Sequence, residues 1–186
     1  MDGDVCIIIP ARYASTRYPG KPLVRLTGAS GAATTLIERS WRAARGVAGD
    51  ARIIVATDDE RIAEEARRFG GEVVMTPEAC RNGTERCAAA IAALGITPDI
   101  IVNLQGDAPL TPAYVVEALI AHLRADPACP VATPAMRCSP GVYAHLVADQ
   151  AAGRVGGTTV VRNAAGDALY FSKRVLPYLP ADLPAD

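Results

Sequence analysis

Ile7–Pro22 reads IIIPARYASTRYPGKP, an apolar β-branched run that passes straight into a cationic loop. Together with Val5, the run Ile7, Ile8, Ile9 predicts a buried strand. Pro10, which has no N–H to give a ladder, predicts its end. The loop that follows carries Arg12, Arg17 and Lys21, the small residues Ala14, Ser15 and Thr16, and the turn pair Pro19-Gly20. Cations at the end of a buried strand suit a polyphosphate. Arg presents a planar fork of donors, Lys a compact charge, and small side chains let backbone N–H groups come close. A solvated basic loop has the same composition, so the loop's place in the fold must separate the two readings.

Outward from that stretch, strands and helices alternate. Leu36–Arg45 places Leu36, Ile37, Trp41 and Ala44 at helical spacing behind a cap at Thr34 or Thr35. Ala51–Thr57 is a second apolar strand. Asp59–Phe69 is a helix with acids early and bases late, as the helix dipole favours; Asp58 is its expected cap and Gly70-Gly71 its end. Glu72–Met75 is a third strand, Thr84–Leu94 an Ala-rich helix stopped by Gly95, and Ile100–Leu104 a fourth strand. A helix over Pro112–Leu123 and a Pro-interrupted strand over Pro130–Met136 follow. This order predicts the α/β class: an open, doubly wound, mostly parallel sheet wrapped by helices. From Gly153 the texture changes, and Thr158–Val161 and Ala168–Phe171 predict a β-hairpin around a turn. The Pro-rich LPYLPADLPAD after it has no closing element, and the chain is expected to stop before its fold does. The expected division is a core over residues 1–150 and a hairpin region over residues 151–186.

In open α/β sheets ligands lie outside the carboxyl ends of the strands. The loops after strands one, three and four carry Arg12 and Lys21, Asn82 and Arg86, and Asp107. That coincidence favours a phosphate site over a solvated loop. Asp107 lies in LQGDAP. An Asp beside Gly106 can simply fill a turn, but a carboxylate facing a basic phosphate loop is how a Mg²⁺-nucleotide is held. Arg86 falls in the first turn of its helix, where the dipole disfavours a cation. A ligand contact explains that placement, with a surface Arg as the alternative. His122 and His145 have no partner at metal or triad spacing.

The 186-residue chain is 50% hydrophobic and 21% charged, with a net charge of −1. That suits one or two domains with a proper core and gives no electrostatic case for nucleic acid or a membrane surface as main partner. No apolar run approaches the ~18–20 residues of a spanning helix. The acidic start MDGDVC enters directly into a strand, unlike a secretory signal, so a cytoplasmic location is expected. Five scattered cysteines without a C-x-x-C pair argue against a disulfide framework or zinc site. A P-loop and a G-x-G-x-x-G are both absent.

In this order, IIIPARYASTRYPGKPL, VATDDERI, NGTER, QGDAP and GDALYFSKR resemble the CMP-Kdo synthetases, the 3-deoxy-manno-octulosonate cytidylyltransferases, which are relatives of the CMP-sialic acid synthetases. The likeness runs from Val5 to Arg174. It implies a Rossmann-like nucleotidyltransferase fold and an enzyme that couples CTP to an acidic 2-keto sugar with Mg²⁺. That reaction releases pyrophosphate and gives the CMP-sugar of lipopolysaccharide or capsule. By the same resemblance, Ala11, Arg12, Ser15 and Lys21 line the triphosphate loop, and Asn82, Thr84 and Arg86 contribute to the nucleotide pocket. Asp107 holds Mg²⁺, Gln105 lies near the sugar, and Tyr170, Ser172 and Arg174 approach the sugar acid. Residues 151–186 begin a sugar-binding and dimerisation region, and the full-length form is expected to be a homodimer. Two departures stand out: Ala108 where the family usually has Glu, and Arg154–Gly157 (RVGG) in place of an Asn-Pro-Asn-like segment. A sialic-acid-type synthetase and a nucleotide-binding module without turnover are the rival readings.

Overall fold

The computed structural model describes residues 4–14 and 18–177. The chain divides into two compact units at Ala132/Thr133. In the first, strand β1 (Val5–Ala11) is followed by a short 3-10 turn at Lys21–Leu23 and a small antiparallel pair, β2 (Arg25–Thr27) and β3 (Ala33–Thr35). Then come α1 (Leu36–Arg45), β4 (Arg52–Thr57), α2 (Glu60–Arg68), β5 (Glu72–Met75), α3 (Gly83–Leu94), β6 (Ile100–Asn103) and α4 (Ala113–Ala125). The main sheet has four strands in the order β5-β4-β1-β6, all parallel, with Cys6–Ala11 beside Arg52–Thr57 and Val5–Ile8 beside Ile100–Asn103.

Period-two alternation sorts β1 into two cores. Ile7, Ile9 and Ala11 pack with Ile37 of α1, Ile62 of α2 and Val116 of α4 on one face. Cys6 and Ile8 pack with Ile54, Val74 and, from α3, Cys87 and Ala90 on the other. Because helices cover both faces, the strands read as continuous apolar runs rather than alternating ones. The doubly wound parallel sheet is as the sequence predicts.

Four local expectations differ. Pro10 lies inside β1 opposite Ala56, not after its end. Leu104 N donates to Ile8 O and β6 has ended at Asn103. Pro10, two residues on from Ile8, therefore turns its missing donor toward a side where no ladder remains. Asp59, not Asp58, caps α2, its carboxylate accepting from Arg61 N at 3.0 Å. The β2–β3 pair is unforeseen: its strands are three residues each, and Gly31 turns at φ 79°. Pro130–Met136 forms no strand among the described residues. Pro130 and Pro134 remove donors, and Val131 and Met136 are exposed.

The second unit holds α5 (Pro140–Ala151) and the predicted hairpin, β7 (Thr159–Arg162) paired with β8 (Ala168–Ser172). Its departure segment RVGG is anchored on Asp149, whose buried carboxylate accepts from Arg154 Nη2 at 2.7 Å. Among the described residues no helix is long and apolar enough to cross a membrane.

A polar knot joins α1 to α2. Glu65 accepts from Thr35 Oγ1 at 2.8 Å and Arg68 Nε at 2.7 Å, while Thr35 caps α1 through Glu38 N. The bond from Arg68 holds the Glu65 carboxyl below its ordinary 4.5, against the opposing effect of burial. A carboxyl lowered by folding stabilises above its unfolded value, and the stabilisation is lost as pH falls through the folded value. Glu65→Gln is therefore expected to cost about 1 kcal/mol at neutral pH. The difference from wild type should shrink in acid below 4.5, read by urea unfolding at both conditions.

Candidate active site

Between β1 and β6 the connections diverge. The chain reaches β6 through α3, on the opposite face of the sheet from α1 and α2. A crevice at the carboxyl ends of such strands is where open α/β sheets bind ligands. Here it is a cleft of about 590 Å³, bordered by Ala11, Arg12 and Lys21 after β1, by Asn82 and Arg86 at the start of α3, and by Gln105 and Asp107 after β6.

The β1–β6 side carries an exposed ion pair. Lys21 Nζ lies 2.6 Å from Asp107 Oδ2, each side chain about half exposed at 46% and 53%. Lys21 is delivered by a turn at Gly20, whose φ of 71° favours glycine. Gly20 N donates to Tyr13 O at 2.9 Å, and a Cβ on Gly20 would stand 3.0 Å from the Tyr13 ring. The Arg61 guanidinium stacks on that ring, 3.4 Å from its centroid. Arg12 leaves β1 directly into the cleft, and among the described residues no acid pairs with it.

Asp107 is placed by close backbone contact. A Cβ on Gly106 would meet Pro10 O at 2.8 Å, so glycine alone lets the loop after β6 lie against β1. Ser40 of α1, fully buried, donates Oγ to Gly106 O at 2.8 Å and fixes that approach. Sequence reasoning passed over Ser40. Its signal was a lone hydroxyl within the apolar stripe formed by Ile37, Trp41 and Ala44. Gln105 lines the cleft and donates Nε2 to Asn103 Oδ1 at 2.8 Å.

On the β4–β5 side Asn82 caps α3, accepting from Glu85 N at 2.9 Å. Arg86 is neither a surface residue nor free: it is 2% exposed, with Nη2 on Asp58 Oδ2 at 2.6 Å and Nη1 on Thr76 Oγ1 at 2.5 Å. Asp58 is thus the partner of Arg86 rather than a helix cap. Thr84 is exposed and does not line the cleft. Ser15 lies outside the described residues. Tyr170, Ser172 and Arg174 belong to the second unit: Tyr170 is exposed on β8, and buried Ser172 accepts from Arg174 N at 2.9 Å.

Among the described residues no cluster of three or more His, Cys, Asp or Glu could cage a metal. Mg²⁺ at a nucleotide takes most of its ligands from phosphate oxygens and water and only one or two carboxylates from protein. Asp107, a half-exposed carboxylate beside Lys21 in the cleft that Arg12 also borders, fits that kind of site.

A family model described as cytidylyltransferase matches residues 6–183. The 3-deoxy-manno-octulosonate cytidylyltransferase of Maricaulis maris is 50% identical over 174 residues, covering 94% of this chain and 65% of the relative. The enzyme of that name from Escherichia coli is 38% identical over 172 residues, covering 92% and 63%. This chain therefore spans slightly under two thirds of the length of those relatives. A solved structure of CMP:2-keto-3-deoxy-manno-octonic acid synthetase complexed with CTP superposes with a TM-score of 0.78 at 37% identity, covering 96% of this chain and 67% of that one. With the switch-point cleft already built from its own residues, the chain belongs to the cytidylyltransferase family.

Proposed function

We propose that this cleft takes CTP and that the protein couples it to Kdo, or a related 3-deoxy-2-ulosonic acid, giving a CMP-sugar and pyrophosphate. The observation that carries the reading is the convergence of Arg12, Lys21 and Asp107 at the β1–β6 switch point. In this reaction the anomeric hydroxyl oxygen bonds to the α-phosphorus, the bond from that phosphorus to the β-phosphate bridge breaks, and the hydroxyl proton leaves to solvent. Arg12 and Lys21 bind the triphosphate, align it and neutralise charge that grows on the departing pyrophosphate. Asp107, with Lys21 drawn off to phosphate, holds Mg²⁺. When bound, Mg²⁺ supplies Lewis-acid neutralisation of the phosphates. No nucleophilic side chain is required. Gln105 is assigned to the sugar, and the family resemblance assigns Tyr170, Ser172 and Arg174 to the sugar acid. A cytoplasmic homodimer is the matching full-length form.

Pyrophosphate release from CTP, Mg²⁺ and Kdo, beside N-acetylneuraminate and a no-sugar control, tests this in the longest natural form of the protein. Release with Kdo alone is the expected result. Release only with N-acetylneuraminate would move the protein to the sialic-acid branch, and CTP binding without release under any condition would leave a binding module.

The Lys21–Asp107 pair makes a further prediction. Without metal, a triphosphate must take Lys21 from Asp107 and then face a bare carboxylate. Asp107→Asn removes both obstacles, so CTP in excess EDTA should bind the variant several-fold more tightly than wild type, about 1 kcal/mol. Titration calorimetry reads this; equal or weaker binding would contradict the exchange of partners.

A further inference from the structure

We propose that Asp58 is a positioning residue: by pairing with Arg86 it turns that guanidinium into a fixed, charge-neutralised donor that reads the nucleobase edge and favours cytosine over uracil. This rests on reading the cleft as a nucleotide site.

Arg86 occupies the first turn of α3, where the dipole opposes a cation, and its side chain is only 3% exposed. A buried guanidinium persists there because it is paired. Asp58, at the carboxyl end of β4, and Thr76, at the carboxyl end of β5, accept from its two terminal nitrogens. Thr76 N also donates to Thr57 O at 2.9 Å, so the ends of β4 and β5 and the start of α3 are tied into one rigid corner. Arg86 nonetheless borders the cleft. Its bonds to Asp58 and Thr76 use two of the five guanidinium N–H groups and hold the others at a fixed place in the wall.

The partner decides which ligand group suits that place. Arg12 has no acid beside it among the described residues and offers a full charge. Arg86 has a carboxylate at 2.6 Å, which cancels its charge and would repel a phosphate. An uncharged acceptor edge fits instead. The two positions also lie on different strands: Lys21 and Asp107 follow β1 and β6, whereas Arg86 is tied to β4 and β5. Neighbouring strands are spaced by roughly 4.8 Å, so phosphates and ring occupy successive stretches of one sheet edge. A guanidinium has donors and no acceptor. Cytosine offers two adjacent acceptors, O2 and N3; uracil puts an N–H at N3, which meets donor with donor. A site built to satisfy a hydrogen-bonding edge rejects the analogue that leaves buried groups unpaired.

The test compares CTP and UTP, and cytidine and uridine, for wild type, Asp58→Ala, Asp58→Asn and Thr76→Val, with thermal unfolding run alongside. Wild type is expected to prefer the cytosine ligands. Asp58→Ala should lower that ratio by about tenfold or more. Asp58→Asn, which keeps an acceptor oxygen, should lower it less, as should Thr76→Val, which leaves the ion pair in place. If Asp58→Ala does not fold, a ratio that falls in the other two variants supports the proposal. Equal losses for cytosine and uracil ligands, with the ratio unmoved, would make the pair purely structural and overturn it. A wild type that binds CTP and UTP equally would overturn it as well and leave the nucleotide site standing. A wild type that binds neither would overturn the nucleotide reading itself.

Discussion

Asp107→Ala is expected to lower pyrophosphate release by about a thousandfold while leaving the thermal midpoint almost unchanged. The two halves of that result have separate causes. Among the described residues Asp107 makes one ion pair, to Lys21, with both side chains about half exposed. Pairs of that kind contribute about 0–1 kcal/mol to stability. In turnover the same carboxylate would hold the metal against the phosphates, so its loss removes stabilisation from a step in which charge moves onto pyrophosphate. Lys21 remains to bind nucleotide, so the loss should fall on kcat more than on KM. A variant that keeps more than a tenth of wild-type turnover would show that Asp107 holds no metal in catalysis.

Gly106→Ala is expected to do nearly as much harm from outside the chemistry. The added Cβ would stand 2.8 Å from Pro10 O and 3.4 Å from Ile37 Cδ1. Pro10 belongs to β1 at the centre of the sheet, and its carbonyl has no room to retreat. The loop after β6 must shift instead, and Asp107 is the next residue along it. The cost in stability should be about 1–3 kcal/mol. Displacing a catalytic group by roughly 1 Å costs about a hundredfold in rate. Gly141→Ala, in α5 where nothing lies within 4 Å, is the control and should leave the rate unchanged and the stability unchanged or slightly raised. Full activity in Gly106→Ala would mean that the Gly106–Pro10 approach does not set the position of Asp107.

Much of this fold was legible because buried parallel strands announce themselves: Ile7–Ile9, Ile53–Val55 and Ile100–Val102 are apolar without alternation, and each is followed by a helix with a visible stop. The cleft followed from asking which loops leave the carboxyl ends of those strands, which brought Arg12, Lys21, Asn82, Arg86 and Asp107 to one edge. What stayed hidden was pairing at long separation. Whether Asp58 caps α2 or meets Arg86, twenty-eight residues later, depends on where β4 and β5 put their ends, and local spacing pointed only to the cap. Ser40 reaches Gly106 across sixty-six residues for the same reason. The small β2–β3 pair left no period to detect in strands of three residues. Pro130–Met136 shows the opposite failure: its apolar residues read as a strand, but its prolines leave it without a ladder among the described residues.

The claim that CTP lies across the carboxyl ends of β1, β4, β5 and β6 is tested most directly by backbone hydrogen exchange with and without CTP and Mg²⁺. The expected result is slower exchange around Lys21, across Asn82–Arg86 and at Gln105–Asp107. The hollow at the amino ends of β4 and β5, bordered by Trp41, Arg45 and Glu72, should be unchanged. Protection confined to that opposite hollow, or absent from the cleft segments at saturating CTP, would contradict the account.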